Sequence, residues 1–219
     1  MGLRRLKVGQ VPAKADTEKQ AVFLEQELQP RIEEAKQGQR QLFFVDASHF
    51  VLAAFLGYLW SFSRIFIKSP AGRQRYSILG AFNAITQDLI TIKNEAYINT
   101  LSMIELMCKL IEKYGQVPLT LVLDNARYQR CQAVMEFARE KGIELLFLPA
   151  YSPNLNLIER LWKFVKKKCL YCEYYETFGK FKGAIDGCLD NTNKEYANEI
   201  KSLMTLDFQV LNNASFCAQ

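Results

Sequence analysis

The chain has 219 residues, of which 49% are hydrophobic and 23% are charged, and its formal net charge is +5. A chain of this length buries roughly 70% of its unfolded surface, so it needs no disulfide or metal to fold. The composition excludes a mainly disordered or collagen-like protein. The single histidine, His49, excludes a metal site built from several histidines.

The chain shows no membrane or secretory segment. Its most apolar stretch, 43–60, is interrupted by polar residues and lacks the ~18 consecutive apolar residues of a spanning helix. The N-terminus has no apolar run typical of a signal peptide. Cys169 and Cys172 lack the second pair or the histidines that a zinc site needs. We therefore expect a soluble cytoplasmic protein with free thiols.

A helix is predicted near the N-terminus. Thr17 and Gln20 have capping-box spacing, and apolar residues follow at helical intervals. Pro30 is expected to kink or divide this helix, and Gly38 is expected to end it. The boundary predictions are a helical linker over 1–40, a central domain over 41–190 and a C-terminal helix and tail over 191–219.

Strands and helices then follow in an α/β order. Short apolar runs predict strands over 42–47, 75–84, 88–94, 120–126 and 143–149. Helical periodicity predicts helices over 97–115, 130–141 and 157–170, with one or two more over 177–203. The stretch 51–68 is ambiguous, with strand-like pieces near 57–60 and 64–68. The first of these helices is predicted to bury a face formed by Tyr97, Leu101, Ile104, Cys108 and Ile111. This order predicts a mixed sheet covered by helices.

Two aspartates end the two most apolar predicted strands. Asp46 follows LFFV and Asp124 follows LTLVL. A carboxylate is costly to desolvate, and sites in such sheets form at the carboxyl ends of the strands. If the strands are parallel neighbours, the two carboxylates converge, and a divalent cation offsets their repulsion. Alternatively, each aspartate caps the turn that follows it.

A third acidic residue, Glu159, lies in the first turn of the predicted helix over 157–170. Its spacing from Asn156 also fits a capping pair, and its spacing from Lys163 fits an ordinary helical ion pair. The predicted core stripe of this helix consists of Ile158, Leu161, Trp162 and Val165. The five bases directly after Glu159 equal the whole net charge; they are Arg160, Lys163, Lys166, Lys167 and Lys168. They indicate either a solvated face or a phosphate-binding surface.

The segments VDASHF, LVLDNARYQ and LPAYSPNLNLIERLWKFVKK resemble the catalytic half of DDE transposases. They are most similar to bacterial insertion-sequence transposases related to mariner elements, and the resemblance runs over roughly 40–190. It implies an RNase H-like fold with a five-stranded mixed sheet whose first three strands are antiparallel. It also implies that Asp46, Asp124 and Glu159 are the catalytic residues and bind two Mg²⁺ or Mn²⁺ ions.

The resemblance implies DNA cleavage at insertion-sequence ends and strand transfer into target DNA by the freed 3′-hydroxyl. We expect DNA as the partner and the protein at the bacterial nucleoid, with a homodimer as one possible assembly. DNA contacts are predicted from the basic residues Arg160, Lys163, Lys166 and Lys167. Three polar residues near the predicted strand ends extend this set: Asn125, Tyr151 and Asn154. We interpret His49 as a structural residue.

Family members normally carry helix-turn-helix modules before the catalytic domain. We expect these to be encoded in an adjoining frame, so that the chain is a fragment or the second half of a frameshift product. Two other functions remain open. One is a truncated, non-catalytic DNA-binding modulator of a full-length transposase, and the other is an RNase H-type nuclease.

Overall fold

The computed structural model describes residues 14–53, 60–66, 68 and 74–208. Within these residues the strands are β1 (Gln41–Val51), β2 (Arg75–Asn83), β3 (Leu89–Asn94), β4 (Leu119–Leu123) and β5 (Ile143–Phe147). The α-helices are α1 (Thr17–Val22), α2 (Gln29–Lys36), α3 (Thr100–Tyr114), α4 (Gln132–Glu140), α5 (Ile158–Cys169), α6 (Phe178–Asp190) and α7 (Ala197–Leu203). A π-helical segment, Phe23–Leu28, joins α1 to α2, and a 3₁₀ turn, Pro153–Leu155, precedes α5.

The strands form one mixed sheet in the order β3-β2-β1-β4-β5. β1 pairs antiparallel with β2, and β2 pairs antiparallel with β3. β4 lies parallel to both β1 and β5, and α4 makes the crossover between β4 and β5. The predicted five-stranded mixed sheet with its first three strands antiparallel is therefore confirmed.

Each face of the sheet has its own core. Along β1, Phe44 packs into a core that contains α2, α5, α6 and α7, whereas Phe43 and Val45 pack into a core that contains α3 and α4. Side chains on a strand alternate between faces. Asp46 therefore projects to the same face as Phe44, toward α5.

The N-terminal helices are fastened to the first of these cores. The buried side chains of Phe23, Leu28 and Ile32 belong to the core that also contains α5. Arg31 Nε also donates a hydrogen bond of 2.9 Å to Glu144 Oε1 on β5. The boundary at residue 40 stays a prediction, but the preceding helix packs on the sheet.

The start and the interruption of this helix differ in detail from the sequence prediction. The N-cap is Asp16, whose Oδ1 accepts a hydrogen bond of 3.1 Å from Lys19 N, so the capping box predicted at Thr17 is wrong. Asp16 has the extended backbone that a cap needs, and Thr17 is already helical. The predicted division at Pro30 takes the form of the π-helical segment just before α2, whose N-terminal positions tolerate a missing N–H.

The predicted buried face of α3 is wrong at Tyr97, Leu101 and Cys108, which are exposed, whereas Ile104 and Ile111 are half-buried and pack against the core. Tyr97 and Leu101 are 70% and 74% exposed, while the buried face consists of Met103, Leu106, Met107 and Leu110. These four residues follow the i, i+3, i+4, i+7 pattern and meet the sheet. The chain has apolar residues on two sides of this helix, so the sequence pattern alone did not decide which side packs.

The ambiguous stretch contributes no strand after β1 within the part that the structure describes. Residues 60–66 have no regular structure, so the strand-like piece at 64–68 is wrong over 64–66, and the piece at 57–60 lies almost wholly outside the described residues. No described helix is both long and apolar enough to cross a membrane. The described cysteines, including Cys169 and Cys172, are free thiols, as predicted.

Candidate active site

Asp46 lies within β1 and not at its end. The parallel ladder to β4 stops at the pair Val45 and Leu123, whereas the antiparallel ladder to β2 continues and pairs Asp46 with Gly80. The sequence prediction that Asp46 ends its strand is therefore wrong. The strand that ends here is β4. Asp46 is therefore paired with β2 on one side and has no paired strand on the other side.

Asp124 is the first residue after β4. Since Leu123 is in register with Val45, Asp124 comes beside Asp46, as predicted for parallel neighbours. Its Oδ1 accepts a hydrogen bond of 3.0 Å from the backbone N–H of Ala126. Asp124 thus also fixes the turn that follows it, so the capping interpretation holds for this residue without removing it from the site.

Glu159 is the second residue of α5. The helix begins after Leu157, which has no side-chain cap, so the capping pair predicted for Asn156 and Glu159 is not formed. Asn156 instead donates from Nδ2 to the backbone oxygen of Val45 at 3.4 Å. The predicted core stripe is correct, since Ile158, Leu161, Trp162 and Val165 are all buried.

The three carboxylates line one open cleft of about 360 Å³. Asp46 comes from β1, Asp124 from the end of β4 and Glu159 from the start of α5. Asn156, Asn125 and Tyr151 line the same cleft. A strand, a loop and a helix therefore bring together acidic residues that are far apart in the sequence.

The electrostatics of the cleft show how closely these groups interact. Burial, followed by the nearby charges of Glu159 and Asp124, raises the pKa of Asp46 to about 7. The hydrogen bond from Trp162 Nε1 to Asp46 Oδ2, 3.1 Å long, acts in the opposite direction. Burial, followed by the charges of Asp124 and Asp46, also raises the pKa of Tyr128.

The donor set of the cleft fits a hard divalent cation. The groups are carboxylate oxygens from three elements and the amide of Asn156, and Mg²⁺ prefers oxygen ligands. A cation would also offset the repulsion that raises the pKa of Asp46. In the side-chain positions described, no three His, Cys, Asp or Glu residues are grouped closely enough to hold one ion. One oxygen of Asp46 is held by Trp162, and one oxygen of Asp124 by Ala126.

The predicted DNA-contact residues divide into two groups. Asn125 and Tyr151 line the carboxylate cleft, where Asn125 Nδ2 donates to Leu148 O and Tyr151 has a positive φ of 59°. Asn154 lies beside the cleft and donates from Nδ2 to Gln20 Oε1 at 3.0 Å. That Asn125, Tyr151 and Asn154 contact DNA stays a prediction.

The basic residues lie along α5. A groove that contains Asn156 and Glu159 continues past Lys163, and a second groove contains Lys163 and Lys167. Arg160 is engaged within the chain, because its guanidinium donates to the backbone oxygens of Leu203, Thr205 and Asp207. Lys166 Nζ lies 5.7 Å from the centre of the Phe50 ring. Lys163 and Lys167 are thus the exposed bases nearest to the site on this helix.

His49 is engaged in a local hydrogen-bond chain. Its Nδ1 lies 2.8 Å from Ser77 Oγ, which in turn donates to the backbone oxygen of Ala96 at 2.7 Å. Because the Ser77 proton is used in that second bond, Nδ1 of His49 is the donor. Burial, with the charges of Arg75 and Lys166, lowers the pKa of His49. This arrangement supports the structural interpretation.

Sequence reasoning missed three residues at the site. The sequence pattern predicts only a core position for Trp162 and a helix cap for Asn156, and it predicts no role for Tyr128. A buried indole N–H needs a hydrogen-bond partner, and this requirement was the available signal for Trp162. For Asn156 and Tyr128 the sequence carried no comparable signal, because their contacts depend on how the loops after β4 and β5 fold.

The fold and the site together define an α/β domain with a three-carboxylate cleft. Residues 41–182 match the family described as DDE superfamily endonuclease. The match covers well over half of the chain, which therefore belongs to the DDE superfamily of endonucleases. No curated protein matches the chain.

Solved structures of Mos1 show the same fold. The Mos1 mariner paired end complex with Mn has a TM-score of 0.66 and 16% identity, covering 93% of this chain and 64% of that chain. The Mos1 strand transfer complex has a TM-score of 0.64 and 18% identity, covering 92% and 63%. The catalytic domain of Mos1 mariner transposase has a TM-score of 0.60 and 16% identity, covering 90% and 93%. The predicted RNase H-like fold is thereby confirmed, and the chain spans less than two-thirds of the chains in the two complexes.

Proposed function

We propose that the chain is the catalytic domain of a DNA transposase, which cleaves DNA at the ends of an insertion sequence and joins the freed 3′ end to target DNA. The observation that carries this proposal is the convergence of Asp46, Asp124 and Glu159 on one open cleft in a DDE superfamily endonuclease domain. The proposal assigns these residues as the catalytic triad and as the ligands of two Mg²⁺ or Mn²⁺ ions.

The chemistry needs little from the protein besides position and charge. Two bound divalent ions would lower the pKa of the attacking water or 3′-hydroxyl and stabilise the leaving oxygen. The protein holds Asp46 on a hydrogen-bonded ladder with one oxygen tied to Trp162, and it holds Asp124 through Ala126. The cleft is open to solvent, so a phosphodiester can reach the carboxylates from outside the domain.

The proposed partner is DNA. The matched Mos1 structures include a paired-end complex with the left transposon end and a strand transfer complex. In this chain the exposed Lys163 and Lys167 lie along α5 beyond the cleft and can contact phosphates next to the reacting one. The proposal includes a homodimer on paired ends, end recognition by helix-turn-helix modules, and action at the nucleoid in a bacterial cytoplasm.

Nicking of supercoiled plasmid by the 219-residue chain in Mn²⁺ tests the function. We expect metal-dependent nicking that falls to the metal-free background in Asp46→Asn, Asp124→Asn and Glu159→Gln. Asp190→Asn is the matched control, because Asp190 is an exposed carboxylate at the end of α6. Full activity in Asp124→Asn would contradict the proposal.

The same assay separates the two other functions. A non-catalytic modulator would bind DNA in a salt-sensitive manner without nicking it in Mn²⁺ or Mg²⁺. An RNase H-type nuclease would cleave the RNA strand of an RNA–DNA hybrid in preference to DNA. We expect neither result, because all three carboxylates of the cleft are present and the family is that of DDE endonucleases.

A further inference from the structure

Asn156 is a buried amide that lines the carboxylate cleft. It follows the 3₁₀ turn Pro153–Leu155, directly before the start of α5, and its residue surface is 4% exposed. Its Nδ2 donates to the backbone oxygen of Val45, the residue before Asp46. The side chain therefore connects the segment just before α5, the helix that carries Glu159, to the strand that carries Asp46.

The orientation of this amide follows from its contact with Val45. A backbone carbonyl can only accept a hydrogen bond, so the NH₂ group of Asn156 must face Val45 O, and Oδ1 must point away from it. Oδ1 is buried and has no hydrogen-bond partner within the described part of the chain. A buried acceptor without a donor is unfavourable, so this oxygen requires a partner that the polypeptide does not supply.

The surroundings of Asn156 restrict what that partner can be. Asn156 lines the same cleft as Asp46, Asp124 and Glu159. An anion would be repelled by three carboxylates, whereas a hydrated cation brings both positive charge and donating water molecules. Gln129 Oε1 is also buried and unpartnered, but Gln129 does not line this cleft. The lack of a partner therefore indicates a cation ligand only together with a position in the cleft.

We infer that Asn156 belongs to the cation site: its amide nitrogen holds β1 beside Asp46, and its amide oxygen binds the hydrated divalent cation that the carboxylates attract. The inference rests on the proposed function, since it needs a cation in the carboxylate cleft. It adds a fourth, uncharged oxygen donor to that site and assigns separate tasks to the two ends of one side chain.

The test measures Mn²⁺ affinity directly, with free Mn²⁺ quantified by its electron paramagnetic resonance signal in the presence of the full chain. Asn156→Leu removes both polar atoms and should weaken Mn²⁺ binding by about tenfold or more, the range seen when the partners of metal ligands are removed. Asn156→Asp keeps an oxygen at this position but loses the NH₂ group that donates to Val45 O, and should weaken Mn²⁺ binding less than Asn156→Leu does.

The control for reduced stability is Asn83→Ala. Asn83 is 1% exposed and pairs with Phe43 at the end of the β1–β2 ladder, where its Nδ2 donates to Gln41 Oε1. This change should lower the melting temperature and leave Mn²⁺ affinity unaltered. Circular dichroism verifies folding of each variant, and Asn156→Ala carries the same expectation if Asn156→Leu does not fold.

Different results contradict different statements. Unaltered Mn²⁺ affinity in Asn156→Leu would overturn the inference and leave the proposed function intact. Equal weakening in Asn156→Leu and Asn156→Asp would show that only the amide nitrogen matters, and would overturn the assignment of the oxygen. Absence of saturable Mn²⁺ binding in the unaltered chain, with Asp124→Asn indistinguishable from it, would overturn the proposed function together with the inference.

Discussion

Trp162 and Asp46 are joined by a hydrogen bond of 3.1 Å between the indole nitrogen and a carboxylate oxygen. The ring of Trp162 is buried against β2, where Gly80 is the partner of Asp46 in the ladder. A Cβ atom at Gly80 would lie 2.9 Å from the ring of Trp162 and 2.9 Å from Ile158 Cδ1. The strand, the glycine and the indole thus fix one carboxylate of the site together.

Trp162→Phe should preserve the fold and impair the chemistry. Phenylalanine retains most of the buried surface but removes the only donor that the indole offers to Asp46. A hydrogen bond to a charged group contributes about 1.5–3 kcal/mol, so we expect metal-dependent nicking to fall by roughly tenfold or more. The rate of plasmid nicking at saturating Mn²⁺ measures the effect, and a rate equal to that of the unaltered chain would show that the contact has no catalytic importance.

Gly80→Ala should destabilise the protein by about 1–3 kcal/mol, because the added methyl group overpacks against Trp162 and Ile158. Gly187→Ala is the matched control in α6: nothing lies within 4 Å of the position that its added Cβ would take, and alanine favours the helix by up to about 1 kcal/mol. The midpoint of urea unfolding should therefore fall for Gly80→Ala and rise for Gly187→Ala. A stabilised Gly80→Ala would contradict the packing described for Trp162.

The stability of the metal-free protein should depend on pH through Asp46. Its pKa in the folded chain is about 7, above the ordinary 3.8, so the folded state binds a proton that the unfolded state has released. The resulting stabilisation is complete below the ordinary pKa and is lost as pH rises through about 7. The free energy of unfolding, measured with urea in EDTA, should be lower at pH 8 than at pH 5. In Asp46→Asn the difference between the two pH values should be much smaller. An unchanged pH dependence in the variant would assign the effect to other groups.

Lys163 and Lys167 should each bind a DNA phosphate. Replacing both with alanine should weaken binding to a fluorescent DNA duplex and reduce the slope of log affinity against log salt by roughly 0.9 for each phosphate that is no longer neutralised. Lys109→Ala is the control, since Lys109 is an exposed base on α3, which packs on the opposite face of the sheet. An unaltered salt slope in the double variant would mean that this face of α5 is only solvated.

Much of the fold was predictable because its signals are local. The buried strands show as apolar runs, and α5 shows an unambiguous core stripe from Ile158 to Val165. The face of α3 was not predictable in this way, because Leu101 and Met103 are both apolar and only the sheet decides which one is buried. The start of α1 depended on backbone geometry at Asp16, which the spacing of Thr17 and Gln20 does not report.

The charged residues of the site could be predicted from the sequence, but the contacts that hold them in place could not. Two aspartates beside apolar strands and a glutamate in the first turn of a basic helix indicate a carboxylate site from the sequence alone. That Asp46 lies in mid-strand could not be predicted, because β1 continues past the end of β4 only through its pairing with β2. The hydrogen bonds of Asn156 and Trp162 join segments more than a hundred residues apart, and no local pattern reports them.

The unequal lengths of β1 and β4 give the sheet a step at the level of Val45 and Leu123. Asp46 stands on the step and belongs to a ladder whose side chains alternate strictly between the α5 face and the α3 face. The face of the sheet to which the Asp46 side chain points therefore depends on its position in this alternation along β1. Deleting one residue between Gln41 and Val45 would turn Asp46 into the apolar core under α3, whereas changes in the loop after β5 would reshape the cleft and leave that carboxylate facing it.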